Sequence, residues 1–424
     1  MKLPQAIQDV LKIAESKLSH DPKLLYMFKQ CFPNTLETTT KVSDDGTSFV
    51  FTGDIPAMWL RDSSAQVRHY LPFAAQDHEL QQIIKGLIKR QLQYIAVDPY
   101  ANAFNEEPNN QRYSEDITEH NPWVWERKYE LDSLCYPLQL SYLYWQSTGD
   151  ASLFDDRFKE IVYLIIRLWT TEQRHLEQSP YRFTRLNGPA TETLQNYGMG
   201  MPVNYTGMTW SGFRPSDDAC TFGYLIPSNM FAVVVLRYIQ EIASEVYQDE
   251  ALEKRAAVLE AEINYGIQTY GIVQHPVFGK IYAYETDGYG NYNLMDDANV
   301  PSLLSIPYLG YASKEDPIYC NTRRFILSAE NPYYYAGEHA QGIGSPHTPK
   351  RYIWPISLAM QGLTSNDPEE IQSLVKVLTA TDAQTGFMHE GFHADDPKQF
   401  TREWFAWANS LFAEFIYSVF IASP

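Results

Sequence analysis

Cysteine is scarce in this 424-residue chain, and its four copies, Cys31, Cys135, Cys220 and Cys320, are widely spaced with no CxxC pair. That argues against a disulfide framework and against a zinc site built on thiolate pairs, and favours small buried thiols in a reducing compartment. Long apolar runs are missing as well. Stretches such as Met230 to Leu236 fall far short of the roughly 20 residues that span a bilayer, so no membrane partner is expected. The first ten residues hold no apolar core behind a basic start, so no export signal is visible and a cytoplasmic location is expected. Positive charge is also in deficit. With 33 Lys and Arg against 52 Asp and Glu the formal charge is −19, which argues against nucleic acid, whose phosphates are bound by basic groups. No GxGxxG, Walker A or GxSxG motif occurs, which removes the common dinucleotide, P-loop and serine-hydrolase signatures. Low-complexity linkers and 20–50-residue repeats are absent too, so residues 1–424 are expected to form a single domain.

What the chain does contain is helical periodicity. Apolar residues recur at spacings of three and four in twelve segments: 4–19, 61–74, 77–97, 131–148, 153–177, 228–246, 249–269, 299–309, 317–329, 351–363, 368–381 and 402–421. In 77–97 the stripe is Leu80, Ile83, Ile84, Leu87, Ile88, Leu92 and Ile95. Strand signals are few. The best is Lys280–Glu285 followed by Asp287-Gly288, read as a short hairpin. Connections are alternately short (75–76, 247–248, 364–367) and long (20–60, 98–130, 178–227, 270–298, 330–350, 382–401). Twelve helices so joined predict six helix pairs closed in a ring, an all-α (α/α)6 barrel with minor hairpins in the long loops. Each long loop precedes an even-numbered helix, so all six lie at the end where the inner helices begin. Loops of this length in compact domains are usually functional, and that end is the expected active face.

The long loops are also chemically dense. They carry Asp54, Trp59, Arg61 and Asp62; Asn105 to Asn109; Trp123, Trp125 and Glu126; Trp210, Arg214, Asp217 and Asp218; Asp296, Asp297 and Asn299; Glu338, His339 and Gln341; and His389, Glu390 and His393. Any one such acid is most simply a capping or first-turn residue. Clusters in six loops converging on one end suit a neutral polyhydroxylated ligand instead, with aromatic faces packing on sugar rings and polar groups bonding hydroxyls. Glycoside hydrolysis needs two carboxyl groups flanking the leaving oxygen, and Asp217 or Asp218 with Glu390 are the candidates. Asp62, beside Arg61, reads as an ion-paired hydroxyl binder that stays ionised. Thr401 reads as a helix cap, with Glu403 as its first-turn acid. His339, His347, His389 and His393 accompany no HExxH or Cys/His cluster, so no metal is expected. Two other readings fit the same loops: a sugar epimerase or isomerase using His339, His389 or His393 as bases, and a non-catalytic glycan-binding barrel.

The strings GDIPAMWLRDS (53–63), WSGFRPSDDAC (210–220), LIPSNMF (225–231), GEHAQGIGSPHT (337–348), MHEGF (388–392) and TREWFAWANSLF (401–412) resemble glycoside hydrolase family 125. They are long, rare and in order, and the resemblance runs from about residue 20 to 420. It implies an exo-acting α-1,6-mannosidase on an (α/α)6 barrel, inverting and metal-free, with no cofactor. It further implies a mannose-containing N-glycan-derived oligosaccharide as substrate and a mainly bacterial distribution. Protein partners stay unknown. Carried onto this chain, the general acid falls in the Asp217/Asp218 pair, with Asp218 preferred, and the general base is Glu390. Trp59, Arg61, Asp62, Arg214 and His339 correspond to sugar-binding residues. Inversion expects the two carboxyls roughly 6.5–9.5 Å apart, to admit the attacking water.

Overall fold

A computed structural model of the chain describes residues 2–422. Its inner ring consists of helices Leu60–Arg68, Leu131–Thr148, Ile226–Ile242, Ile306–Leu309, Pro355–Leu363 and Ala406–Ile416. Leu60–Arg68 packs on Leu131–Thr148, which packs on Ile226–Ile242, and that on Ile306–Leu309; Pro355–Leu363 packs on Ala406–Ile416, which closes against Leu60–Arg68. Residues from five of these six helices, among them Arg68, Tyr136, Tyr308, Met360 and Trp407, line one small central space. These inner helices are buried nearly all round: every residue from Ile226 to Leu236 is buried, as is every residue from Ala406 to Ala413. A helix without a polar face is stable only when enclosed.

The outer ring is Gln5–Lys17, His78–Val97, Asp156–Glu172, Glu250–Tyr270, Pro317–Ile326 and Pro368–Ala380. These helices bury one stripe and expose the rest. In His78–Val97 the predicted residues Leu80, Ile83, Ile84, Leu87, Ile88, Leu92 and Ile95 are all buried. Asp residues start five of the six: Asp77, Asp155, Asp249, Asp316 and Asp367 each accept a first-turn backbone N–H. The architecture is the predicted (α/α)6 barrel, with one main apolar core running from Ile7 to Ile421.

Small sheets fix the entries to the inner helices. Met58–Trp59, immediately before Leu60, pairs through Ala103–Phe104 with Val124–Glu126, which leads to Leu131. Tyr224–Leu225, before Ile226, pairs with Glu285–Thr286. Tyr352–Ile353 joins Gly391–His393 and Asp396–Thr401, which precede the last helix. The segments that enter the inner helices are thereby held by backbone ladders at one end of the barrel.

Four expectations need correction. The segment 299–309 is helical only over Ile306–Leu309. Pro301 removes a helix donor, and the Asp296 carboxylate takes the N–H groups of Leu303 and Leu304, holding them in a turn. The last inner helix begins at Ala406 rather than 402, with no side-chain cap. Thr401 lies in a strand and Arg402 has φ +43°, so Thr401 is no cap and Glu403 no first-turn acid. The single hairpin expected around 280–288 is two, Ile272–His275 with Gly279–Tyr282 and Glu285–Thr286 with Tyr292–Asn293. Finally, loop 20–60 contains the helix Pro22–Cys31, capped by Asp21 with Pro22 in the first turn. Among the described residues, no helix is long and apolar enough to cross a membrane.

Candidate active site

At the end where the inner helices begin lies a cavity of about 380 Å³, lined by residues from five of the long loops. Its walls include Trp59, Arg61 and Asp62; Pro215, Ser216 and Asp217; Asn299; His347 and Trp354; and Glu390, Arg402, Phe405 and Trp407. The positive ends of the inner helix dipoles meet here, which favours anionic groups.

Arg61 organises one wall. It follows Trp59 and Leu60 into the first turn of its helix, so its guanidinium lies among buried carboxylates. Its Nη1 donates to Glu130 Oε2 at 2.6 Å and Asp132 Oδ2 at 3.3 Å; Nε is 3.4 Å from Asp62 Oδ2 and Nη2 3.7 Å from Asp217 Oδ1. One cation cannot neutralise four carboxylates. Burial pushes Glu130 well above the ordinary carboxyl range and raises Asp132 and Asp62, against the opposing pull of Arg61. Asp62 does pair with Arg61, and it accepts from Thr52 Oγ1 at 2.9 Å, but burial works against the fully ionised state expected for it. Asp217 behaves oppositely. Burial would raise it, yet Lys128 and Arg61 together bring it down to about 2. Lys128 Nζ also donates to the Asp217 carbonyl at 2.7 Å and to Glu192 at 3.3 Å.

The two neighbouring aspartates face different surroundings because of the turn they occupy. The Asp217 N–H donates to the Arg214 carbonyl at 2.9 Å, and the Arg214 N–H donates to the Asp218 carbonyl at 2.8 Å. Pro215 occupies the second position of this turn, where its fixed φ fits, and Asp217 takes φ +69°, which Asp tolerates better than most residues. Asp217 therefore lines the inner pocket. Asp218 lines a larger adjoining cavity of about 1300 Å³ together with Arg214, Thr191, Phe222, Tyr292 and Tyr333. Asp218 Oδ1 is 3.4 Å from His347 Nδ1, while its Oδ2 is buried with no hydrogen-bond partner in the protein. Ser216 is anchored from below by its hydroxyl, which donates to Asp297 at 2.8 Å.

Glu390 stands on another wall. Its N–H donates to the Thr401 carbonyl at 3.2 Å, and Arg402 Nη1 lies 3.5 Å from its carboxylate. Arg402 is in turn fixed by Asp54 at 2.5 Å. Around the inner pocket, Trp59 Nε1 is also buried without a hydrogen-bond partner in the protein, and Arg61 Nε and Asp62 Oδ2 face each other only as an ion pair at 3.4 Å. Buried polar groups of this kind demand a reason, and a ligand rich in hydroxyls supplies one.

The structure thus brings Trp59, Arg61, Asp62, Asp217 and Glu390 to one pocket, with Asp218 and Arg214 on the cavity beside it. Arg214 is held there by Glu285 at 2.6 Å. His339 is elsewhere. It is exposed at the turn of the hairpin Tyr334–Ala336 with Gln341–Ile343, and the same loop sends His347 to the pocket instead. His389 is stacked on Phe400 at 3.8 Å and its Nδ1 meets the Glu403 carbonyl, and His393 packs on Tyr352. None of the three histidines suited to moving a proton on a bound sugar lines the inner pocket. Residues missing from the sequence-based candidates are Lys128, Glu130, His347, Trp354 and Arg402. Of these, His347 and Arg402 lie inside the strings quoted above, whereas Lys128 and Glu130 carry no motif at all.

A family model described as metal-independent alpha-mannosidase (GH125) matches residues 21–417. The chain belongs to glycoside hydrolase family 125. It is therefore a glycoside hydrolase of the α-mannosidase type. A solved Streptococcus pneumoniae structure from this family, a non-productive substrate complex with alpha-1,6-mannobiose, superposes with a TM-score of 0.97 at 50% identity, covering 99% of both chains. Among curated proteins, the Meiotically up-regulated gene 157 protein of Schizosaccharomyces pombe is 44% identical over 99% of this chain and 86% of its own length. Proteins this similar thus occur in a yeast as well as in a bacterium. A bacterial glucoamylase complexed with acarbose shares the fold alone, with a TM-score of 0.56 at 12% identity over 85% of this chain and 48% of its own.

Proposed function

We propose that this GH125 member is an exo-acting, inverting α-1,6-mannosidase that removes terminal mannose from N-glycan-derived oligosaccharides, with the whole chain as one catalytic unit in the cytoplasm. The observation that carries the reading is the inner pocket with Glu390 on one wall and the Asp217–Asp218 turn, beside a larger cavity, on another. The carboxylates, Arg61 and Trp59 that line the inner pocket suit one terminal sugar, and the adjoining cavity leaves room for the rest of the glycan. The mannobiose complex of the Streptococcus pneumoniae relative supports the linkage.

In this mechanism Asp218 is the general acid. Asp217, held at about 2 by Lys128 and Arg61, carries no proton to give near neutral pH. Asp218 lines the outer cavity next to Asp217 of the inner pocket, where the bond to be broken would lie, and its Oδ2 has no hydrogen-bond partner in the protein. Glu390 takes a proton from the water that attacks the anomeric carbon on the opposite face, the C–O bond breaks, and its electrons leave on the oxygen protonated by Asp218. Trp59, Arg61 and Asp62 bind the terminal mannose, and Arg214 and Tyr333 border the leaving sugar. Asp218→Asn and Glu390→Gln are each expected to lower kcat on α-1,6-mannobiose by about 10²–10⁴-fold with unchanged thermal melting. Near-wild-type turnover by either variant removes that residue from the pair.

A further inference from the structure

His347 occupies a position that the acid/base pair leaves unexplained. Its ring lines the inner pocket and its side chain is 26% exposed, whereas the side chain of Asp218, across the 3.4 Å contact, is only 2% exposed. Asp218 must recover a proton after every turnover, yet it is almost sealed from water. His347 is the one titratable side chain in hydrogen-bonding contact with it among the described residues. The charged groups facing His347 are Asp218 and Asp217 on the turn, Glu390 with its partner Arg402, and Glu192 with its partners Arg185 and Lys128. Trp354 packs edge-on at 6.5 Å.

We propose that His347 is the proton store of the general acid, a positioning residue that shares one proton with Asp218 through Nδ1 and refills it from solvent. The inference rests on Asp218 being the acid. In each cycle the shared proton passes from His347 Nδ1 to Asp218, whose carboxyl gives it to the glycosidic oxygen and becomes a carboxylate, leaving a neutral imidazole that keeps its Nε2 proton. The vacant Nδ1 then takes one proton from solvent, which refills the pair. Glu390 releases to solvent the proton it accepted, so the net reaction is addition of one water. Burial alone would lower His347, but its hydrogen bond to Asp218 and the charges of Asp218, Glu390 and Asp217 carry it up to about 9. The singly protonated pair therefore persists through neutral pH and is lost as the pH rises through that value.

The test is the pH dependence of kcat/KM for His347→Asn, with His347→Gln in parallel, on two substrates: α-1,6-mannobiose and an α-mannoside of 2,4-dinitrophenol, whose leaving group needs no protonation. Asn can donate from the position of Nδ1 but cannot titrate, so it preserves the contact and removes the store. The wild-type alkaline limb on mannobiose is expected near pH 9. In the variants it moves to lower pH by about one unit or more, and at neutral pH turnover falls at least ~10-fold on mannobiose but little on the activated substrate. Asp218→Asn is measured alongside. If it shows the same contrast between substrates while the His347 variants keep the wild-type limb, the proton store is refuted and the acid stands. If Asp218→Asn loses equal activity on both substrates, the acid assignment itself is wrong, and the store with it.

Discussion

At the scale of single residues, the site depends on neighbouring carboxylates being driven apart by their surroundings. Asp217 and Asp218 are adjacent in sequence and identical in chemistry, yet the turn that bends at Asp217 sends one toward Lys128 and Arg61 and the other toward His347. The account makes a signed prediction for Asp217. Its carboxyl is held at about 2, below the ordinary value near 4, so its ionised form stabilises the fold above pH 4 and that contribution fades as the pH falls through 2. Asp217→Asn is expected to melt below wild type at pH 7, with the gap closing between pH 4 and pH 2. Melting curves across that range check it, and a gap independent of pH contradicts it. The Asp217 charge also helps to raise Glu130 and Asp62, so the variant relieves both and the gap at pH 7 is the net of the two effects. The residue scale is also where the sequence was least legible. Asp218, Glu390, Trp59, Arg61 and Asp62 lie in strings that mark themselves. Lys128 does not, because its partners Glu192 and Asp217 are 64 and 89 residues away and only the folded ring brings them to it. His339 and His347 are eight residues apart in one loop, and which of them turns inward depends on the hairpin between them.

At the scale of elements, periodicity and capping carried most of the information. Outer helices announce themselves through a single buried stripe and an Asp at the start. Asp77 is the strongest case, since Oδ1 accepts the Leu80 N–H at 3.1 Å while Oδ2 accepts the Ala6 N–H at 2.9 Å. One carboxylate thus serves the first turns of two outer helices, Gln5–Lys17 and His78–Val97. Asp77→Ala is expected to cost about 1–2 kcal/mol in urea unfolding and to leave kcat untouched, because the residue is remote from the pocket. Inner-helix starts were harder to locate. Expected starts at 351 and 402 fall at Pro355 and Ala406, since the residues just upstream form the strands Tyr352–Ile353 and Asp396–Thr401. Those strands are too short to show alternation, and they form because the ladder across Gly391–His393 satisfies their backbone groups.

At the scale of the whole molecule, the alternation of short and long connections was enough to derive the barrel and to point to the end where the candidate pocket lies. What it could not supply was the division of that end into an inner pocket of about 380 Å³ and an outer cavity of about 1300 Å³, because loop conformation decides it. That division bears on the mode of attack. α-1,6-Mannotriose labelled at its reducing end is expected to yield mannose and labelled mannobiose first, with labelled mannose appearing only later. Early labelled mannose from internal or reducing-end cleavage contradicts an exo pocket.

The central claim is that Asp218 and Glu390 act on opposite faces of a terminal α-1,6-mannose. Proton NMR of α-1,6-mannobiose in the first minutes of hydrolysis tests it most directly, by reading the anomeric configuration of the mannose before it equilibrates. The account predicts β-mannose as the first product. Initial α-mannose would contradict it and point instead to a covalent glycosyl-enzyme intermediate.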